Sequence, residues 1–257
     1  MKVAVFGAEG FTGRAILANM KDRHEVHAVC HNPEAWQQWS DIDGEWDGLT
    51  TYGDIVDYDH VDAVVSQVEG IIHTAVYFAP GGDGYSTSDE KPFLVNLKGL
   101  WNVLQCARLH DIRRVVHIGS CGTVHPDGVF FDSDIRRSDG ELYGITKRLQ
   151  EEMCRQFYDA FKLSIIVLRP DYIVDTRIDI GRHREEMGGE GGRPWRNGLV
   201  CRHDLAEACR LAIECDSTDF DILHAVGTKE AEEHCNVGRT REVLGLEFRG
   251  DLDKYRS

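Results

Sequence analysis

Three glycines at positions 7, 10 and 13 constrain this chain more than any other feature. They follow the apolar run Val3-Ala-Val-Phe6 and open a stretch, 14–22, that reads as a helix. A buried strand turning straight into a helix leaves the first N–H groups of that helix without partners. Each glycine has a steric reason: Gly7 for the tight turn, Gly10 for close approach of a pyrophosphate, Gly13 for packing helix on strand. The helix end adds positive potential. Gly7, Gly10, Phe11, Thr12 and Gly13 therefore read as the phosphate-binding end of a dinucleotide site.

The pattern repeats beyond the turn. Residues 26–30, 71–75, 115–118 and 163–168 are short, apolar and largely β-branched, with helical stretches at 60–68, 92–110 and 142–161 between them. Strand–helix alternation of this kind predicts an α/β fold, a Rossmann-type doubly wound parallel sheet with ligands at the C-terminal ends of its strands. Residues 1–170 form the dinucleotide-binding body. Residues 171–257 read as a small interleaved substrate region, with 199–226 returning to the main sheet through a helix at 204–213 and a strand at 222–226. A further short helix is expected at 239–244. The stretch 181–198, with six glycines and four arginines and no periodicity, reads as a mobile loop and a candidate lid.

Charge narrows the partners. With 29 basic against 44 acidic residues the formal balance is −15, which repels phosphate backbones and anionic lipid, so neither nucleic acid nor membrane is expected. Eight cysteines are scattered without a CxxC pair or zinc-type spacing, as suits reduced thiols in the cytoplasm, and no metal is expected.

The second strand ends Val29-Cys30-His31-Asn32-Pro33. An acid there would select NAD and an arginine NADP. Neither is present. His31 or Asn32 can hydrogen-bond a ribose, whereas Arg14 or a protonated His31 could meet a 2′-phosphate. NAD is favoured, with NADP left open. Asp54, after Gly53 at a strand end, suits the adenine amino group.

Chemistry is read from Leu142-Tyr-Gly-Ile-Thr-Lys147, where Tyr143 and Lys147 share one helix face. A free phenol titrates near ~10 and is a poor base at neutral pH. A neighbouring ammonium and a positive nicotinamide favour the phenolate, which can then exchange a proton with a hydroxyl. Ser120, at the end of the strand 115–118 and 23 residues before Tyr143, can hydrogen-bond the reacting oxygen. A second pair at the same spacing, Tyr158 and Lys162, sits at the far end of the same helix and reads as structural. Cys121 reads as a buried thiol more than a nucleophile.

These motifs together resemble the extended short-chain dehydrogenase/reductases, the NAD-dependent epimerase/dehydratase family. The resemblance rests on Gly7-x-x-Gly10-x-x-Gly13, Gly53-Asp54, Ile72-His-Thr-Ala75, Val95-Asn96 with Gly99, Ser120, Tyr143-x-x-x-Lys147 and Leu168-Arg-Pro170. It implies that Ser120, Tyr143 and Lys147 are catalytic. It also implies that Asp54 and Ile55 meet adenine, that Thr74, Ala75 and Val76 line the ribose and nicotinamide path, and that Asn96 borders the cofactor. The later part of the chain is similar to uronate dehydrogenases, which oxidise C1 of a hexuronic acid with NAD. That implies a substrate pocket drawing on Tyr77, Cys121 and Tyr172, with Arg193 or Arg196 for a carboxylate.

The chain departs from that pattern. Cys121-Gly122 stands where those enzymes have Asn-His, Phe78 and Tyr172 replace small polar residues, His31 replaces an acid, and residues 79–88 lengthen a loop over the pocket. The leading expectation is an NAD(P)-dependent oxidoreductase acting on a small hydroxyl or carbonyl substrate, a sugar or sugar acid being the class in view. A sugar epimerase and a non-catalytic dinucleotide-binding redox sensor are the alternatives. In this family the helices at 92–110 and 142–161 would form a homodimer interface. Trp36, Trp39 and Trp46 are expected near the adenine side, with no role beyond packing.

Overall fold

Residues facing alternately to the two sides of a sheet set the layering of this protein. The structure is a computed structural model that describes residues 1–78, 90–124 and 141–256. Its strands are β1 (Lys2–Phe6), β2 (Glu25–Cys30), β3 (Thr50–Tyr52), β4 (Gly70–His73), β5 (Arg114–Ile118), β6 (Ile165–Arg169), β7 (Tyr172–Asp175), β8 (Ile180–Gly181), β9 (Leu199–Cys201) and β10 (Phe220–His224). Seven of them pair in parallel in the order β10-β6-β5-β4-β1-β2-β3. The other three form a small sheet with β7 between β8 and β9. The helices are α1 (Phe11–Met20), α2 (Tyr58–Val65), α3 (Leu100–Leu109), α4 (Leu142–Phe161), α5 (Arg202–Glu214) and α6 (Val237–Leu244).

Val3, Val5, Val116 and Ile166 face one side of the sheet and pack with Ile16 and Leu17 of α1 and Leu205 and Ala212 of α5. Their neighbours Ala4, Phe6, Val115 and Ile165 face the other side and meet α2, α3 and α4 through Val61, Leu104 and Cys154. Strand order reverses between β1 and β4, and a crevice opens at that point in sheets of this kind. The turn after β1 and Thr74 after β4 both stand at this switch point.

Several expectations change in detail. The helix foreseen at 92–110 is interrupted: Lys91–Phe93 leads into a π-helical stretch, Leu94–Gly99, before α3 begins. Extra residues of this kind re-aim side chains, and this stretch carries Asn96. The fourth strand ends at His73, because Thr74 turns its N–H and hydroxyl onto the Phe6 carbonyl. The last strand begins at Phe220 and pairs with β6 over its whole length. The 181–198 stretch is mostly turns and bends, pinned by a few short pairings. Gly181 pairs with Val174, bridges link Ile180 to Glu186 and Met187 to Arg193, and Met187 is buried with Tyr172 and Leu199. Gly188, Gly189 and Gly191 take positive φ there and make the reversals, which is why no periodicity marks the segment. The lengthened loop expected at 79–88 lies outside the described residues.

A buried arginine ties the small sheet to the nucleotide end. Arg202, fully buried at the start of α5, donates to Asp175 of β7 (2.7 Å), to Asp43 (2.6 Å) and to the Phe11 carbonyl (3.2 Å).

Candidate active site

The glycine turn is closed below and open above. Gly7 has φ +81°, and a Cβ there would stand 2.7 Å from both the Ala75 nitrogen and Thr74 Oγ1. A Cβ on Gly13 would fall 2.3 Å from the Gly7 carbonyl. One on Gly10 meets only that carbonyl, at 3.4 Å, so the space over Gly10 is clear. Phe11 is core, its ring tilted against Trp39 with centroids 4.7 Å apart, while Thr12 is half-buried in the first turn of α1. The Thr74 hydroxyl donates to the Phe6 and Gly7 carbonyls (2.9 and 3.1 Å) and holds β4 to the turn. Ala75 and Val76 follow, half-buried. This shape fits a dinucleotide: the N–H groups of Gly7, Ala8 and Gly10 are tied to the Val29 and Gly7 carbonyls, and the start of α1 borders the clear space over Gly10, where a pyrophosphate would carry its charge.

The adenine side differs from its sequence reading. Arg14 is buried, lies 4.0 Å over the Trp36 ring and donates to the carbonyls of Gly44 (2.7 Å) and Trp36, so it is not placed to meet a 2′-phosphate. Trp36 and Trp39 thus have a role: they bury the guanidinium and the Phe11 ring, with Trp46 packed at the margin of the same core. His31 is exposed and donates its backbone N–H to Glu9 Oε1 (3.1 Å). Asn32 uses its carbonyl to cap the turn at Ala35 (2.7 Å), which leaves only its amide nitrogen for a ribose. Asp54 is exposed and accepts from Val56 N–H (2.9 Å); Ile55 is buried beneath it, filling the space where a Cβ on Gly99 would sit.

Strand β5 and helix α4 bring the three catalytic candidates to one sheet edge. Ser120 follows β5 and accepts from Gly122 N–H (3.1 Å). Ser120 and Arg182 stand near enough to the Tyr143 phenol to favour its ionised form. Lys147 is buried, donates to the Ile118 carbonyl (2.7 Å) and stands 6.0 Å from the centre of the Tyr143 ring. Burial lowers its ammonium to about 7, with Glu151 working the other way. The expected assignment of charges needs correcting. Burial raises the phenol of Tyr143, and the cation that opposes it is Arg182, not Lys147.

The Asn96 side chain, expected to border the cofactor, is buried and engaged within the protein. Its carbonyl accepts from Tyr77 N–H (2.7 Å), and its amide donates to the Tyr77 carbonyl and Thr146 Oγ1 (both 3.2 Å). It clamps the chain after β4 to α4. Below it, His73 and His117 face each other across β4 and β5, Nδ1 to Nδ1 at 3.1 Å, both fully buried.

The substrate side is built from aromatic rings and arginines. Phe78 stacks on Tyr143, centroids 4.5 Å apart, and the Arg182 guanidinium lies 4.6 Å over Phe78. Tyr172, buried, is covered by Arg193 at 4.1 Å. Arg193 is ion-paired with Glu185 (3.5 Å) and Arg196 with Asp171 (2.9 Å), whereas Arg182 reaches the phenol. Sequence reading named the first two arginines and missed the third; its only signal was membership of the same arginine-rich stretch. Tyr77 takes part through its backbone, with Lys91 at 5.9 Å from its ring. Cys121 is not a substrate contact. It is packed with Val226, Ala231 and Val237, its thiol donates to the Arg169 carbonyl (3.3 Å), and burial pushes the thiol well up. The second pair stands at the other edge of the sheet, with Lys162 5.0 Å from the Tyr158 ring and Tyr158 stacked on Phe220, the first residue of β10.

Comparison with known proteins agrees with this geometry. The family model described as "NAD dependent epimerase/dehydratase family" matches residues 3–174. A uronate dehydrogenase of Agrobacterium fabrum is 28% identical over 118 residues, which is 45% of this chain and spans 42% of that protein's own length. An L-arabinose 1-dehydrogenase (NAD(P)(+)) of Haloferax volcanii is 23% identical over 260 residues, 95% of this chain and 94% of that protein. Among solved structures, UDP-glucuronic acid 4-epimerase from Bacillus cereus, in complex with UDP-glucuronic acid and NAD, superposes with a TM-score of 0.78 at 14% identity, over 99% of this chain and 96% of the other. At that identity the likeness concerns the fold.

Proposed function

The chain belongs to the NAD dependent epimerase/dehydratase family, and from that premise we propose that it is an NAD-dependent oxidoreductase of a small sugar acid. The observation that carries the substrate class is the position of Arg182, whose guanidinium lies 4.6 Å over Phe78, the ring that stacks on Tyr143. A guanidinium beside the proton-transferring group places a fixed positive charge where a carboxylate of the substrate can lie. Of the relatives, the one named a uronate dehydrogenase supports the acid, whereas the one named an L-arabinose 1-dehydrogenase supports only the wider class of free sugars, arabinose being a neutral aldose.

The chemistry contributed by bound NAD is hydride acceptance. The glycine turn would hold its pyrophosphate over Gly10, with Gly7 making the turn and Gly13 packing α1 on β1. Tyr143 takes the proton of the substrate hydroxyl, Ser120 hydrogen-bonds the same oxygen, and Arg182 favours the ionised phenol. Lys147, anchored on the Ile118 carbonyl, fixes the start of α4 against β5 and directs an ammonium toward the same space. Phe78 and Tyr172 shield the reacting oxygen from water.

The test follows absorbance at the nicotinamide band with NAD and a panel of aldoses and uronic acids. Stoichiometric accumulation of reduced cofactor with uronic acids, and little with neutral aldoses, is the expected result. Turnover confined to neutral sugars would overturn the acid substrate.

An NAD-dependent epimerase is the second reading, favoured by the solved epimerase that this fold matches over 96% of its length. Chain length therefore does not separate the two. An epimerase returns the hydride, so UDP-sugars would be converted with no net accumulation of reduced cofactor. A non-catalytic sensor is separated by Tyr143→Phe, which should abolish turnover in an enzyme while dinucleotide binding survives.

We also propose a homodimer built on α3 and α4. Trp101 and Leu109 on α3 and Leu149 and Phe161 on α4, with Phe93 in the short segment ahead of them, are exposed apolar residues suited to contact with a second copy. Light scattering on the purified protein tests it. The eight cysteines are all free thiols, which supports a cytoplasmic setting. Among the described residues no helix is long and apolar enough to cross a membrane.

A further inference from the structure

An acid is missing from the end of β2, but one arrives there from another element. Glu9 lies inside the glycine turn, between Gly7 and Gly10, and its Oε1 accepts the backbone N–H of His31, the residue that follows β2 (3.1 Å). The carboxylate is thereby fixed at the place where the adenosine ribose lies in folds of this kind. Oε2 is turned inward, away from solvent and toward the Cys30 thiol, while Oε1 lies in the exposed contact with His31 and keeps a second lone pair for a donor arriving from outside. The Cys30 thiol beside it is pushed up to about 12, by burial first and by the Glu9 charge second. The nearby cation, Arg14, is turned inward onto Trp36 and Gly44, and Asp43 and Glu45 add negative potential around it.

We propose that Glu9 accepts the adenosine ribose 2′-hydroxyl and excludes a 2′-phosphate, so that the glycine turn itself selects NAD over NADP. This rests on the dinucleotide reading of the turn. A hydroxyl can donate to Glu9. A phosphate ester brings up to two negative charges against it and finds no inward-facing cation, among the described residues of the turn and the end of β2, to offset them.

The test is equilibrium binding of NAD and of NADP to the ligand-free protein by titration calorimetry, with melting curves for every variant. The native protein should bind NAD at least about thirtyfold tighter than NADP, the usual scale for a site that leaves an ionic group unmatched. Glu9→Gln should weaken NAD about five- to tenfold, as for loss of one charge-assisted hydrogen bond, and bring the two affinities within about threefold. Glu9→Ser should do the same, and keeps the test in force if the glutamine variant melts early. With the native protein alone, added salt should narrow the preference, because the exclusion is between like charges. A native protein that binds both dinucleotides equally overturns the proposal, as does either folded variant with the native preference intact. A native protein that binds neither overturns the dinucleotide reading itself, a different and separately visible failure.

Discussion

Arg182, one residue beyond β8, reaches the phenol of Tyr143 at the start of α4. Burial raises that phenol, and the Arg182 charge is the largest influence working against it. Arg182→Ala therefore lets burial act with less opposition. The ionised phenol is then favoured only at higher pH, and the limb of kcat/KM that requires it should move to higher pH. KM for a uronic acid should rise roughly tenfold or more, as a charge-assisted pair is lost. Arg182→Lys should restore part of both. A pH profile that does not move would separate Arg182 from the proton transfer.

Lys147 carries an opposite linkage. Its folded value lies at about 7, lowered by burial with Glu151 opposing, while an unfolded lysine titrates near ~10.4. Between those values the unfolded chain holds a proton that the folded one has lost, so this residue makes stability rise with pH across that window. Below about 7 both states are protonated and the cost of burying the ammonium is felt in full. Lys147→Met should thus stabilise the ligand-free protein at pH ~6, by on the order of 1–3 kcal/mol once the lost bond to Ile118 is subtracted, and stabilise it less at pH ~9. Turnover should fall at both. A variant less stable than the native protein at the lower pH would contradict the burial cost.

Some of this was legible in the chain and some was not, for physical reasons. The glycine turn, Ser120 and the Tyr143–Lys147 spacing are local patterns, set by one strand end or one helix face, and the structure brings them to one sheet edge. Arg182 arrives through tertiary pairing. Gly181 must pair with Val174, and a Cβ on Gly181 would crowd the Tyr172 hydroxyl at 2.8 Å, so the approach depends on contacts that no spacing encodes. Arg14 was misread because its partners, Trp36 and Gly44, lie in a connection whose path is not periodic. The π-helical stretch at Asn96 escaped because apolar spacing barely registers the wider turn. Glu9 was overlooked because the acid is ordinarily sought after β2, and the chain supplies it before α1.

The Asp175–Arg202 pair holds the small sheet on the main body. Burial would raise the Asp175 carboxyl, but hydrogen bonds from His203 and Arg177 and the charge of Arg202 reverse this, and the carboxyl ends well below its usual range. A carboxyl depressed on folding contributes stability above its unfolded value, near ~3.9, and loses that contribution as pH falls toward the folded one. Asp175→Asn should cost about 2–4 kcal/mol at neutral pH, less than a fully stranded charge because Asp43 still pairs with Arg202. The penalty should shrink on acidification below pH ~4. Urea melts of both proteins at two pH values check this, and a penalty independent of pH would assign it to packing instead.

Gly10 and Gly13 should separate binding from stability. Gly10 has φ −74°, ordinary for any residue, and a Cβ there meets only the Gly7 carbonyl at 3.4 Å. Gly10→Ala should therefore leave the stability of the ligand-free protein within about 0.5 kcal/mol of native. Its methyl group would stand in the space needed by a pyrophosphate, so NAD affinity should fall at least tenfold. In Gly13→Ala the Cβ would be 2.3 Å from the Gly7 carbonyl and 2.7 Å from Ala8 Cα, backbone atoms that cannot step aside. That variant should lose about 2 kcal/mol or more of stability through overpacking, and NAD binding with it. Thermal melts with and without NAD measure both effects, and the fit of the turn to a dinucleotide predicts that only the first variant keeps its fold while losing its ligand.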